Sequence, residues 1–448
     1  MDRRVLLRVW VAICAVAGVL LFLSQLWEIP VRSALRGYDN TFNYLWARSA
    51  LADGDWDFEN DLQIADTLAP DHQVSALDLP RTKAGFIPNK YGIGWALLTV
   101  PAYFAADGVV WFAREVAGRA WQDDGFGPAH QIAVQCWHLA LACVALWLAW
   151  RTIARWIDDS ASALAGVVTV WAASPLFYYQ TANLSMSHGA AFFAIAWFAF
   201  ALGQARDDDT ARWWILAGAG WGLAVITRFQ LAVFAIVALG TLLTRRASSD
   251  TTVGLRRAVR GSIYFSAGAA PLIILQLWAW RVVYGEWFVF SYGAEGEQFH
   301  WARPEIFNSL FSSWHGLFYW HPLLAIAAAG LLAWAWAWRK RGEAIAWGLA
   351  LGATAYVAAA WWCWWFASSF GNRAYDAALL PLMAGMAWLF TRMKGRWRAV
   401  LWTFAIAAGV WNFYVATLYR TGAISRNEPV TWHEMLDAAQ RLPDAARF

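Results

Sequence analysis

Asp39 is an acidic side chain set where a membrane-length apolar segment ends. It opens the run 37–62, GYDNTFNYLWARSALADGDWDFENDL, which is acidic, aromatic and polar. Two roles suit it. As the N-cap of a short helix it would contribute about 1 kcal/mol. As a general base at the lipid–water boundary it would need burial or substrate positioning, because a carboxylate of reference pKa about 3.9 is a weak base. Periodicity alone favours the cap. Two arginines stand in turns otherwise poor in positive charge: Arg228 in ITRFQ and Arg373 in FGNRAYD. Each reads as a helix-end contact, such as Arg373 with Asp376, or as the ligand of an anion. Lys90 and Tyr91 anchor at the headgroup layer or meet that same anion. Asn40 follows Asp39 and cannot serve as a second carboxylate. His188 is the only group in the 178–188 turn that titrates near neutrality, and it and Asn40 read as substrate contacts. His300, His315 and His321 match no zinc spacing and read as polar contacts, His300 and His315 to a substrate. Asp55, Asp57, Glu59 and Asp61 have the oxygens for a metal, but such a run is more often a solvated face.

These groups need a scaffold, and the composition names it. The chain has 448 residues, 60% of them hydrophobic, with only 15% charged. Apolar runs long enough to cross a bilayer recur throughout, as in an all-α polytopic membrane protein. The spans expected are Val5–Trp27, Gln131–Trp150, Ala163–Tyr179, Gly189–Gly203, Trp213–Ile226, Gln230–Thr244, Ser262–Tyr284, Leu317–Trp338, Ala344–Phe366, Tyr375–Phe390 and Ala399–Leu418, about eleven in all. The 35 Trp suit the aromatic belts at both interfaces, Trp361, Trp362, Trp364 and Trp365 among them. Cys14, Cys136, Cys143 and Cys363 read as free, buried thiols. The net charge of +4 is spread over loops, with no basic stripe for nucleic acid.

The arginines give the orientation. Arg3/Arg4, Arg151/Arg155, Arg206/Arg212, the 245–260 loop, Arg339/Lys340/Arg341 and Arg392–Arg398 fall on one side, which the positive-inside rule makes cytoplasmic. The segment 93–116 breaks the count if it crosses. Asp107 near its middle would cost about 2.5–3.5 kcal/mol at bilayer centre. The segment therefore reads as an interfacial or re-entrant pair, broken near Asp107–Gly108. That places the N-terminus inside and the C-terminus outside, in the plasma (inner) membrane. The transmembrane domain is 1–418, with outside loops at 28–130 and 285–316, and 419–448 is a short outside tail. Residues 40–52 should form an amphipathic surface helix ended by Gly54. Thr431 and Glu434 form a capping-box pattern ahead of an apolar face of Trp432, Met435, Leu436 and Ala439.

The order of these features, with ARSALADGDWDF and then PNKYGIGWALLTVPAYF, resembles the GT-C glycosyltransferases. These are the polyprenyl-phosphate-sugar-dependent enzymes that include protein O-mannosyltransferases and lipid A aminoarabinose transferases, bacterial family 39 enzymes. The resemblance in topology covers the whole chain, and that in motifs about a quarter of it. It implies an outside loop cradling a lipid-linked sugar, and inverting transfer to an acceptor hydroxyl with the acid at Asp39 as base. Many relatives carry two adjacent acids where this chain has Asp39-Asn40, which leaves the second acid and any divalent metal open. The leaving group would be a lipid phosphate. Arg373, Arg228, Lys90 and Tyr91 would hold it, since an arginine fork matches phosphate oxygens. The partners implied are a polyprenyl-phosphate-linked sugar, a glycan, lipid or protein acceptor, and membrane lipids. Three other readings stay open. A transporter or flippase would show paired halves, and none are seen. A lipid-diphosphate polysaccharide polymerase or ligase usually carries its main loop late in the chain. A membrane scaffold needs no Asp39 loop.

Overall fold

The computed structural model describes residues 3–29, 33–35, 37–68, 74–246, 251–337 and 341–441. Arg339 and Lys340 of the basic cluster and the last seven residues of the tail lie outside these. Among the described residues every regular element is helical, and the one β feature is an isolated antiparallel bridge between Phe299 and Trp361. In lipid this is the expected outcome, because a helix satisfies its backbone polar groups within one segment.

Each expected span overlaps helix, though not always one unbroken helix, and Trp338 at the end of one span lies outside the described residues. Among the described residues, seven helices are long and apolar enough to cross a membrane, and the apolar helices Ser160–Ala172, Phe229–Thr244 and Leu323–Trp336 are shorter. Prolines account for part of the shortening. Ala163–Tyr179 is cut at Ser174–Pro175, and Leu317–Trp338 is cut at His321–Pro322. Proline lacks an N–H and clashes with the preceding turn, so a helix restarts there rather than runs through. Helix Arg341–Ala360 stops at Ala360, short of the expected Phe366. The tryptophans after it therefore lie in a turn, with left-handed backbone at Phe366 and Ala367 (φ 60° and 50°). Cys136 and Cys143 are exposed on the outer face of helix Pro128–Ile157, which corrects their reading as buried thiols.

Small residues bring the central helices together. A Cβ on Gly218 would lie 1.9 Å from the Phe265 carbonyl oxygen, and one on Gly268 would lie 1.9 Å from that of Ile215. Helices Ala211–Thr227 and Thr251–Tyr284 thus touch backbone to backbone. This is the close approach that glycine permits where lipid supplies no hydrophobic drive.

The segment 94–116 is not broken at Asp107. Helix Gly94–Trp111 runs unbroken through Asp107–Gly108 and passes into a π-turn at Phe112–Val116. Asp107 finds a partner in His130 Nε2 at 2.8 Å, which removes the reason to break the helix there. Trp137 Nε1 donates to the Leu98 carbonyl (2.7 Å), and Thr99 Oγ1 lies 2.8 Å from His138 Nε2. These contacts fall at residues 130–138 of helix Pro128–Ile157, the end remote from Arg155.

Helix Tyr38–Arg48 continues as a π-helix, Ser49–Asp53, and ends at Gly54 in left-handed conformation (φ 77°), as expected. It is not an exposed surface helix: Asn40 through Ser49 are all buried. The tail forms the expected capping box at Thr431–Glu434 ahead of helix Trp432–Asp437. Of its supposed apolar face only Met435 is buried, while Trp432 and Leu436 stay exposed.

Candidate active site

Three short segments supply the site. The first is the start of helix Tyr38–Arg48. Gly37 takes a left-handed backbone (φ 98°) that admits the chain into the helix, and its carbonyl accepts from the Thr41 N–H at 3.0 Å. Asp39 therefore sits in the first turn, not at the cap, and its side chain is free to point away from the helix end. The second is the strap 89–94. Asn89 fixes it, donating from Nδ2 to the Phe42 carbonyl (2.9 Å) and accepting the Tyr91 N–H at Oδ1 (3.2 Å). A Cβ on Gly92 would fall 2.0 Å from the Ile226 carbonyl oxygen, so the strap lies directly on the end of helix Ala211–Thr227. The third is the turn before Arg373. Gly371 (φ 59°) leaves no room for a Cβ, which would meet His321 Nε2 at 2.2 Å. The Asn372 amide donates to the Ser309 and Trp364 carbonyls, both at 3.2 Å.

Together these segments converge on one cavity of about 760 Å³. Asp39, Lys90, Tyr91, Arg228 and Arg373 all line it. Arg373 Nη2 lies 3.0 Å from Asp39 Oδ2, and the Tyr91 hydroxyl donates to Asp39 Oδ1. Burial works against the Asp39 charge. Arg373, the Tyr91 hydroxyl, Lys90 and Arg228 outweigh it and hold the carboxyl below the usual aspartate range. Burial and the neighbouring Asp39 push the Tyr91 phenol well up, so it remains a donor.

The cations differ in how much binding capacity they retain. Lys90 Nζ is held by Glu295 (2.5 Å) and Glu297 (3.2 Å), and the Tyr38 hydroxyl donates to the same Glu295 at 2.6 Å. Burial would lower the Lys90 pKa, but the two glutamates raise it instead. Among the described residues, Arg228 pairs with no carboxylate. It contacts Ser187 Oγ (3.3 Å) and His188 Nε2 (3.1 Å), and with the Gln230 amide turned to present its oxygen it also donates there twice at 2.9 Å. Arg373 Nε is buried with no hydrogen-bond partner among the described residues. The two arginines therefore keep donors available to an anion.

Four residues expected at the substrate do not line the cavity. Asn40 is buried and donates to the Asn183 side chain (3.1 Å). His188 lies behind Arg228 and stacks on Tyr179. His315 is fully buried against the Trp365 carbonyl (2.8 Å), and burial pushes it down to about 4. His300 is exposed, while its neighbours Phe299 and Trp301 face the cavity. The acidic run 53–61 is spent on protein partners: Arg48 holds Asp53 and Asp61, and Arg81 meets Glu59 at 3.0 Å. Among the described residues, no three His, Cys, Asp or Glu are grouped to hold a metal ion. Tyr38, Tyr292, Glu295 and Glu297 were not singled out from the sequence. The acids of GAEGEQ in the loop 285–316 were the available signal.

The remaining wall is apolar. Val225, Phe229, Val233, Trp280, Val357 and Trp361 continue the cavity away from the charges. A charged head beside a greasy trough is the shape of a site for an amphiphile.

Residues 126–274 match the family model described as dolichyl-phosphate-mannose-protein mannosyltransferase. That stretch includes Arg228 and His188 but not Asp39, Lys90 or Arg373. The chain also superposes on the crystal structure of ArnT from Cupriavidus metallidurans bound to undecaprenyl phosphate, with a TM-score of 0.53 and 17% identity over 98% of this chain and 69% of that one. Its fold is GT-C. The apo state of the same enzyme gives a TM-score of 0.51 and 15% identity over 98% of this chain and 72% of that one. The superposition shows a GT-C fold for this chain, and the family model matches about a third of its length. No curated protein matches the sequence.

Proposed function

We propose that this GT-C protein transfers a sugar from a polyprenyl monophosphate to an acceptor hydroxyl at the extracytoplasmic membrane face, with inversion. The acceptor would be a glycan, lipid or protein. The observation that carries this reading is the cavity itself, where one carboxylate, two arginines with spare donors and an apolar trough adjoin. The trough would take the first isoprene units and the arginines the phosphate. The ArnT structure holds undecaprenyl phosphate, the kind of lipid phosphate such a donor leaves behind once its sugar is transferred.

In this reading Arg373 has two successive partners. Before the donor arrives it pairs with Asp39. The donor phosphodiester, with one negative charge on two free oxygens, shares the guanidinium fork with Asp39; as the sugar departs, the phosphate gains a second charge and a third free oxygen and draws the fork toward itself. Asp39 then loses its strongest stabilising neighbour, so its basicity rises when an acceptor hydroxyl needs a proton acceptor. Tyr91 keeps the carboxylate aimed. Arg228 and Arg373 stabilise the negative charge that builds on the departing phosphate. Lys90 reaches the phosphate only by giving up a glutamate.

Titration with undecaprenyl phosphate in nanodiscs tests the binding half. Arg373→Gln and Arg228→Gln should each weaken binding about tenfold or more, the scale of one charge-assisted hydrogen bond. Unchanged affinity in both variants would remove the arginines from the site.

A further inference from the structure

Behind Arg228 lies a buried chain of polar groups. Asp376 is fully buried, and its Oδ2 lies 3.4 Å from His188 Nδ1. His188 Nε2 in turn lies 3.1 Å from Arg228 Nη1. The three residues come from three elements: the 3-10 turn Arg373–Ala378, the first turn of helix Ser187–Asp208, and the end of helix Ala211–Thr227. His188 is clamped flat by Tyr179, ring centroids 4.6 Å apart.

Donor and acceptor rules fix the direction of this chain. An arginine can only donate, so His188 Nε2 must be the unprotonated nitrogen. The ring proton then sits on Nδ1, facing Asp376 across 3.4 Å, a gap not closed as a hydrogen bond, with the Arg373 backbone also beside the ring. A doubly protonated ring would set one N–H against another. We propose that Asp376 is a positioning residue: through the Nδ1–H tautomer of His188 it holds the Arg228 guanidinium toward the cavity, where the donor phosphate binds. Asp376 is buried with neither carboxyl oxygen hydrogen-bonded among the described residues, which leaves His188 Nδ1 as a group it can engage. Asp376 itself does not line the cavity, so any effect it has on the donor must pass through its neighbours.

The inference rests on the proposed donor site, and the test separates the two. The full chain, 15N-labelled at histidine, is placed in nanodiscs, and His188→Gln identifies the resonance. The wild type should show the Nδ1–H tautomer, and Asp376→Asn should mix in the Nε2–H form. Undecaprenyl phosphate should then bind about tenfold more weakly to Asp376→Asn, the scale of a charge-assisted bond. That loss should vanish when Arg228→Gln is already present, because the two act as one unit. His188→Gln should keep most of the affinity, since one amide can donate to Asp376 and accept from Arg228, whereas His188→Leu should lose it. An Nε2–H tautomer in the wild type overturns the relay whatever binds. A correct tautomer with fully additive losses overturns action through Arg228. Failure of the wild type to bind the lipid at all sinks the donor site, and the tautomer still decides the relay. If Asp376→Asn does not fold, the His188 pair of variants carries the same comparison.

Discussion

In the proposed role Asp39 must stay charged to accept a proton and yet be basic enough to take one. Its pairing with Arg373 and Tyr91 secures the first condition. A carboxyl held below its ordinary range stays ionised as pH falls through that range, so the acid limb of kcat/KM should lie below that of a free aspartate. In Arg373→Gln the largest stabilising neighbour is gone, the carboxyl pKa rises, and the limb should move to higher pH. A limb that stays put while activity falls would mean that another group sets it. Tyr91→Phe removes one donor to the carboxylate and should lower kcat about tenfold, with expression unchanged. At this scale the sequence was informative where charge stood alone. Asp39, Arg228, Arg373, Lys90 and Tyr91 share the cavity. Glu295, Glu297 and Asp376 were missed as members of the site because their relation to it is tertiary. Nothing along the chain tells that residue 295 folds back onto residue 90, or that residue 376 sits behind residue 228.

The elements that hold the site are spaced by glycine. Gly218 and Gly268 let helices Ala211–Thr227 and Thr251–Tyr284 touch, and Gly92 lets the strap lie on the end of the former. Arg228 is the residue that follows that helix, so its position depends on both contacts. Gly218→Val should separate the pair and cost about 1–3 kcal/mol or more, read as a lower Tm in detergent. Gly348→Ala is the control. It stands in helix Arg341–Ala360 with nothing near its absent side chain, so it should be neutral or stabilise by about 0.5–1 kcal/mol. Equal losses in both would refute the packing argument. The helical segments were visible as apolar runs, because in lipid the backbone has few alternatives, but seven among the described residues are long and apolar enough to cross rather than the expected eleven. Their breaks were not placed, although Pro175 and Pro322 stood in plain view. Asp107 misled in the other direction: a carboxylate in an apolar run looked like a break, but His130 satisfies it in a continuous helix.

Across the whole molecule the charges separate along the helices. Helix Ser187–Asp208 has His188, behind Arg228, at one end and Arg206, paired with Glu343, at the other. Its 22 residues rise about 1.5 Å each, so the ends stand roughly 33 Å apart, one hydrocarbon thickness. We propose that the cavity end is extracytoplasmic and the arginine end cytoplasmic. In a background without native cysteines, Gln63→Cys should react with a membrane-impermeant maleimide on intact cells. Arg396→Cys should react only after permeabilisation, and the reverse pattern would invert the protein. Domain limits remain proposals too: 1–418 as the membrane unit and 419–448 as the tail. The tail is anchored by Trp432 Nε1, which donates to the Tyr319 carbonyl at 2.9 Å.

The most direct measurement is transfer of a labelled sugar from polyprenyl monophosphate to endogenous acceptors in membrane vesicles, comparing the wild type with Asp39→Asn at equal expression. The account predicts a covalent labelled product from the wild type and a loss of about 10²–10⁴-fold in the variant, the worth of a general base, with undecaprenyl phosphate still bound. Undiminished transfer by Asp39→Asn would contradict it.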